Sequence, residues 1–180
     1  MNDIISSAES RDAGDGPELI SQTPAVDHMT ITTGQPTAKA LLRLTDYWRS
    51  KCGSAVMPSR DAIDPTEIIV HLPWLFMADV CDGGADYRYR LVGTGIVAAN
   101  YRDVTGRSFR ELYTDPVKLE GARLGFDLAC STRAPVYTQG RAFWRPDWAY
   151  DRFEAVLLPL SSDGETANIV LGEIAYLAPF

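Results

Sequence analysis

Histidine is nearly missing from this sequence, with only His28 and His71 in 180 residues. Most nucleophile–base–orienter sets are built around a well-placed imidazole, so their absence argues against hydrolase-type chemistry and leaves only Asp/Glu chemistry open to an enzyme. Cysteine is also scarce. Cys52, Cys81 and Cys130 lie far apart, form no C-x-x-C pair and have no histidine at ligand spacing, so no metal site is expected. An odd number of isolated thiols suits a reducing compartment, where each serves as a small core hydrophobe. No apolar run approaches the roughly 18 residues of a membrane span, and no basic-then-apolar leader opens the chain. These absences point to a cytoplasmic protein without a membrane span. Positive charge is in deficit as well, at a net −7. Asp3, Glu9, Asp12, Asp15, Glu18 and Asp27 against Arg11 leave residues 1–37 at −5, so the remainder carries only −2. A near-neutral body with an acidic extension argues against nucleic acid as a partner. Arg141-Ala-Phe-Trp-Arg145 interleaves basic and aromatic residues as single-strand binders do, but one such stretch does not outweigh the balance.

What is present is a 46% apolar chain long enough to bury a core without disulfides. Residues 1–37, rich in Ser, Thr, Asp, Gly and Pro, read as a flexible acidic extension that can be deleted; residues 38–180 read as one domain. Lys39 to Cys52 is an amphipathic helix: Leu41, Leu44, Trp48 and Cys52 recur at three and four, and Gly53 stops it. Its apolar stripe is expected to cover the domain's own sheet and also to serve a dimer or partner contact. Further on, Asp64, Pro65 and Glu67 form a helix start in which Glu67 can reach back to the cap. Arg60 reads as an arginine tying this turn to its cap.

Leu75 to Cys81 is an apolar strand, and Asp82 to Asp86 turns it into a second strand, giving a hairpin. In that second strand Tyr87, Tyr89 and Leu91 alternate with Arg88, Arg90 and Val92. Gly93-Thr94-Gly95-Ile96-Val97-Ala98 fits a dinucleotide fingerprint, but the strand before it is not a buried parallel one. Asp103 to Gly106 also ends any following helix too soon, so the glycines read as turn and packing positions. Ser108 and Glu111 form a capping box, and Asp115-Pro116 starts a long helix to about Ser131, with Ala122, Phe126, Ala129, Leu124 and Leu128 on its apolar face. Strands at 135–145, 153–160 and 168–177 close the chain, the last apolar on both faces and so central. The order predicts an α+β fold: a five-stranded antiparallel sheet with short helices on one face and an additional N-terminal amphipathic helix.

This order resembles the PAS superfamily, together with Tyr47-Trp48, Met57-Pro58-Ser59-Arg60, Asp64-Pro65, Leu75-Phe76, Tyr89-Arg90-Leu91-Val92-Gly93-Thr94, Thr105-Gly106-Arg107 and Leu158-Pro159-Leu160-Ser161. It is most similar to short standalone bacterial PAS-like proteins over residues 40–176. The resemblance implies a sensory or regulatory module in signal transduction, non-catalytic, with a small cavity for a ligand or a protein partner. It names no cofactor. The flavin-photosensor signature would carry a cysteine where Phe109 stands, and the haem branch a histidine on the long helix, which has none; neither haem nor a cysteinyl flavin is therefore expected. Tyr89, Arg90, Tyr101, Trp144 and Glu173 are candidate pocket residues, being polar or aromatic on otherwise apolar elements; the alternative for each is an ordinary core or ion-pair role. For Glu173, in the middle of the last strand, the expected companion is Arg90 or Arg141, at the floor of the cavity. Leu41, Leu44 and Trp48 are the expected contact of a homodimer, with a separate signalling protein and a possible small-molecule ligand as further partners. A ligand-free dimeric scaffold is the alternative.

Overall fold

The fold is built around two central strands that have no polar face to offer. Residues 30–32, 34–141, 150 and 152–178 are described by the structure, a computed structural model. β5 (Arg152–Ser161) and β6 (Ala167–Leu177) pair antiparallel along most of their length. Val156, Leu158 and Leu160 point to one side of β5 and Leu157 to the other, so both faces of the sheet must be covered. β2 (Leu75–Cys81) lies beside β6 and β3 (Asp86–Val92) beside β2, while β4 (Val136–Arg141) flanks β5. These are the five strands expected, all antiparallel. A short sixth, β1 (Thr30–Thr32), lies within the stretch read as an extension and adds to the β4 edge, giving the order β1-β4-β5-β6-β2-β3. Register sets Thr30, Gln139, Glu154 and Ala175 side by side in one row across four strands.

The front face is covered by α2 (Thr94–Asn100), α3 (Phe109–Leu112) and α4 (Pro116–Thr132). Ser108 and Glu111 close the capping box of α3, and Asp115 accepts from the N–H groups of Val117 and Lys118 at the start of α4. Ala122, Phe126 and Ala129 face the sheet as expected. Leu124 does not: at 54% exposed it lies outside the arc of α4 that the sheet can reach.

The back face is covered by α1 (Lys39–Lys51) and by the turns at Arg60–Ala62 and Pro65–Ile68. The motifs that carried the resemblance clip this face together. Trp48 Nε1 donates to the Pro159 carbonyl (2.9 Å), Ser161 N to the Pro58 carbonyl (3.0 Å), and Asp64 N to the Tyr47 hydroxyl (2.9 Å). Arg60 donates to the Ile63 carbonyl, the tie expected of it. Glu67 does not reach back to its cap. It pairs instead with Lys51, because the turn is a 3₁₀ helix of four residues whose tighter winding points Glu67 at α1.

Leu41, Leu44 and Trp48 are fully buried against Leu158, Leu171 and their neighbours on the back of the sheet. That burial corrects the expectation that they form a dimer contact. A sheet apolar on both sides uses the whole stripe, and the outward side of α1 carries the exposed Arg43, Asp46 and Arg49.

β3 departs from its alternating pattern at one point. Met77 pairs with Leu91 but Ala78 with Tyr89, so Arg90 is an extra, bulged residue. A one-residue bulge reverses which side follows. Tyr87 and Tyr89 face front, and beyond the bulge Val92 faces front too, while Leu91 turns outward and is exposed. The free edge of β3 is partly covered by the turn at 105–107, through Tyr89 N to the Arg107 carbonyl and Gly106 N to the Tyr89 carbonyl.

Candidate functional site

A cavity of about 70 Å³ opens between the front of the sheet and α2–α3. Each wall follows from an element already placed. Phe76 comes from β2, Tyr89 and Val92 from either side of the bulge in β3, and Ile174 from β6. Ile96 and Asn100 come from successive turns of α2, while Leu112 and Tyr113 end α3. Arg102 and Val104 close it from the loop after α2.

Gly93 and Gly95 set the position of α2. A Cβ on Gly93 would collide with the carbonyl oxygens of Leu72 and Pro73, and one on Gly95 would lie 2.8 Å from the Pro73 oxygen and 2.9 Å from the Trp74 ring. They are glycine because the helix start is pressed against the 72–74 turn, as the packing reading of this motif expects. The helix then ends after seven residues at Tyr101 in left-handed geometry.

The polar groups gather at one end of an otherwise apolar space. Burial raises the pKa of the Tyr89 and Tyr113 phenols, each further raised by a neighbouring tyrosine, while Arg102 pulls Tyr113 the other way. Burial pushes Tyr176, beside them, up to about 12, opposed by a hydrogen bond with Asn100. Phenols held neutral this firmly keep their protons near pH 7 and donate hydrogen bonds, so they suit binding rather than acid–base catalysis. Asn100 Oδ1 is buried and has no hydrogen-bond partner among the described residues.

Of the four expected pocket residues that are described, the structure brings only Tyr89 into this cavity. Arg90 sits at the bulge and pairs with Asp79 on the outer side (2.8 Å). Tyr101 is 73% exposed, because the left-handed residue that ends α2 turns its side chain away. Trp144 lies outside the described residues. Glu173 is only 2% exposed but belongs to the back face, opposite the cavity, as register requires of the neighbour of front-facing Ile174. Its companion is neither Arg90 nor Arg141 but His71, whose Nδ1 lies 2.9 and 3.0 Å from its two carboxylate oxygens. Desolvation raises the pKa of Glu173, and His71 opposes the shift. Sequence reasoning missed Asn100, Arg102, Tyr113 and Ile174. Asn100 ending an Ala-Ala helix and Tyr113 directly after a capped turn were the available signals.

Large cofactors do not fit this arrangement. Ligand pockets for drug-sized molecules run to about 300–1,000 Å³. The interior below this cavity is filled by Phe109, 1% exposed, whose ring lies 4.9–5.8 Å from those of Phe126, Tyr87, Tyr89 and Tyr113. Among the described residues no cluster of His, Cys, Asp and Glu could hold a metal ion, and no helix is long and apolar enough to cross a membrane.

No curated protein matches the chain. A solved structure described as an RNA-binding Light-Oxygen-Voltage receptor is similar to it, with a TM-score of 0.46 and 19% identity; the match spans 83% of this chain and 38% of that one. The family described as PAS domain matches residues 37–175, from the start of α1 through most of β6. Two motif-clipped layers on an antiparallel sheet, a cavity under the front helices and this match over more than three-quarters of the sequence agree: the chain belongs to the PAS domain family, a family of sensory and regulatory modules.

Proposed function

We propose that this protein is a cytoplasmic, non-catalytic sensor whose front cavity takes a small molecule and whose occupancy changes its association with a signalling partner. The observation that carries this reading is the cavity itself, mostly apolar-walled with two tyrosines, an asparagine and an arginine in its lining. Polar groups that converge on a dry space orient a ligand. The reading gives the protein no reaction of its own. Among the described residues no acidic side chain lines the cavity, and His71 is committed to Glu173 on the far side of the sheet. Self-association belongs to the proposal too, on a surface other than Leu41, Leu44 and Trp48.

Native mass spectrometry of gently purified protein tests it, comparing wild type with Val104→Phe, which fills the cavity from its loop. A small adduct on the wild type that is lost from the variant, with folding retained, is the expected result. Identical spectra without any adduct, together with an unchanged oligomeric state in sedimentation when host extract is added, would instead leave a ligand-free scaffold.

A further inference from the structure

The polar end of the cavity is incomplete in a way that specifies what would complete it. Arg102 lines the mouth and makes no ion pair or hydrogen bond among the described residues. The arginines on β3, in the turn at 105–107 and on α3 are held by carboxylates: Arg88 and Arg107 by Glu111, Arg90 by Asp79, Arg110 by Asp82. With no Asp or Glu among the described residues of the lining, Arg102 leaves the mouth positive. The Tyr89 and Tyr113 hydroxyls have no hydrogen-bond partner among the described residues either, and both can donate. Arginine and phenol donors around one point are the arrangement a carboxylate accepts from.

Asn100 makes the opposite demand. Its Oδ1 is buried without a partner, so it asks for an O–H or N–H from whatever occupies the cavity. Volume limits the rest, since about 70 Å³ is far below the room a drug-sized ligand needs, and the mouth beside Arg102 is open. The ligand is therefore a few heavy atoms, with an apolar carbon to meet Val92, Ile96 and Ile174.

We propose that the cavity recognises a short hydroxy-carboxylate, with its carboxylate toward Arg102 and the Tyr89 and Tyr113 hydroxyls and its hydroxyl donated to Asn100. This rests on the reading that the cavity holds a ligand. An amine would meet Arg102 unfavourably, a plain fatty acid would leave Asn100 Oδ1 without a donor, and a diol would leave Arg102 unpaired.

Amide NMR of the full chain, titrated separately with 2-hydroxypropanoate, propanoate and propane-1,2-diol, tests both arms. The hydroxy acid is expected to shift the Tyr89, Asn100 and Tyr113 amides saturably, and each analogue to bind about tenfold weaker or worse, since each leaves one polar group unpaired. Arg102→Gln, a change at an exposed residue, should weaken the hydroxy acid by about tenfold or more while leaving the diol unchanged. Diol binding equal to that of the hydroxy acid would overturn the anionic class, and propanoate binding equal to it would overturn the hydroxyl arm; either result leaves a ligand-holding cavity standing. If no compound shifts those amides and native mass spectrometry finds no adduct, the proposal falls together with the reading beneath it.

Discussion

Desolvation is the leading cause of a raised pKa in five of the eight tyrosines, and four of these, Tyr87, Tyr89, Tyr113 and Tyr176, lie on the front side of the sheet while Tyr47 lies on α1. Tyr87 adds a hydrogen bond donated to Asp127 (2.6 Å), which further favours the neutral phenol. The sign of the linkage follows. A folded pKa above the ordinary 10.0 leaves stability intact below that pH and removes it as pH rises, because the unfolded chain then releases protons that the fold retains. In an alkaline titration these four should give their phenolate absorbance together with the loss of near-UV circular dichroism, in one cooperative step. Ionisation of all eight near pH 10 with the fold intact would contradict it. Glu173 and Arg90 give a second contrast between neighbouring charges. Glu173 is buried with His71, so Glu173→Gln, which takes one carboxylate oxygen out of that contact, should cost about 1–3 kcal/mol in denaturant unfolding. Arg90 pairs with Asp79 at the surface, the two side chains being 50% and 30% exposed, and Arg90→Gln should cost no more than about 1 kcal/mol. Similar losses from both would place the two carboxylates in similar surroundings.

At the scale of elements, the two sides of α1 should behave oppositely. Leu44→Ala removes a fully buried side chain under a closed layer and should cost about 2–5 kcal/mol, whereas Arg49→Ala, whose pair with Asp46 is solvent-exposed, should stay within about 1 kcal/mol. Equal effects would mean the helix is not seated on the sheet. Between β2 and β6, Gly172 leaves a notch that the Phe76 ring fills; a Cβ there would run into that ring. Gly172→Ala should cost about 1–3 kcal/mol, and Phe76→Leu in the same chain should recover part of it. Additive losses would show that the two do not touch. Elements such as these were legible in the sequence where one local force decides them. The strand at 75–81, the Ser108–Glu111 box, the Asp115-Pro116 helix start and the glycines before α2 all lie where they were read. The site was less legible because it depends on register. One bulged residue at Arg90 moved Val92 into the cavity and Leu91 out of it, and nothing in a Tyr-Arg-Tyr-Arg alternation announces that. Glu173 was rightly read as needing compensation. Its partner lies 102 residues away in a turn beside a proline, a juxtaposition that only the folded back face creates.

For the molecule as a whole, the point at which the N-terminal stretch is cut should matter. β1 pairs with β4, and Glu154, buried on the back face, accepts from both the Thr37 hydroxyl (3.0 Å) and Ala38 N (2.9 Å). Removal of residues 1–29 should therefore leave Tm within a few degrees. Removal through Thr37 should lower it further, since β4 loses its neighbour and Glu154 loses the threonine donor. Equal Tm values for the two truncations would show that neither contact supports the domain. The same register row has a further consequence. Thr30 and Ala175 stand in line with three strand spacings between them, about 14 Å apart. β1 approaches that row from the side on which β6 leaves it, so both ends of the folded unit pass through one rim of the sheet. A unit whose entry and exit are neighbours can be spliced into a surface loop of another protein without prying that loop apart. This domain is accordingly a cassette: spliced into a fluorescent or enzymatic host, it would join that host through two adjacent seams.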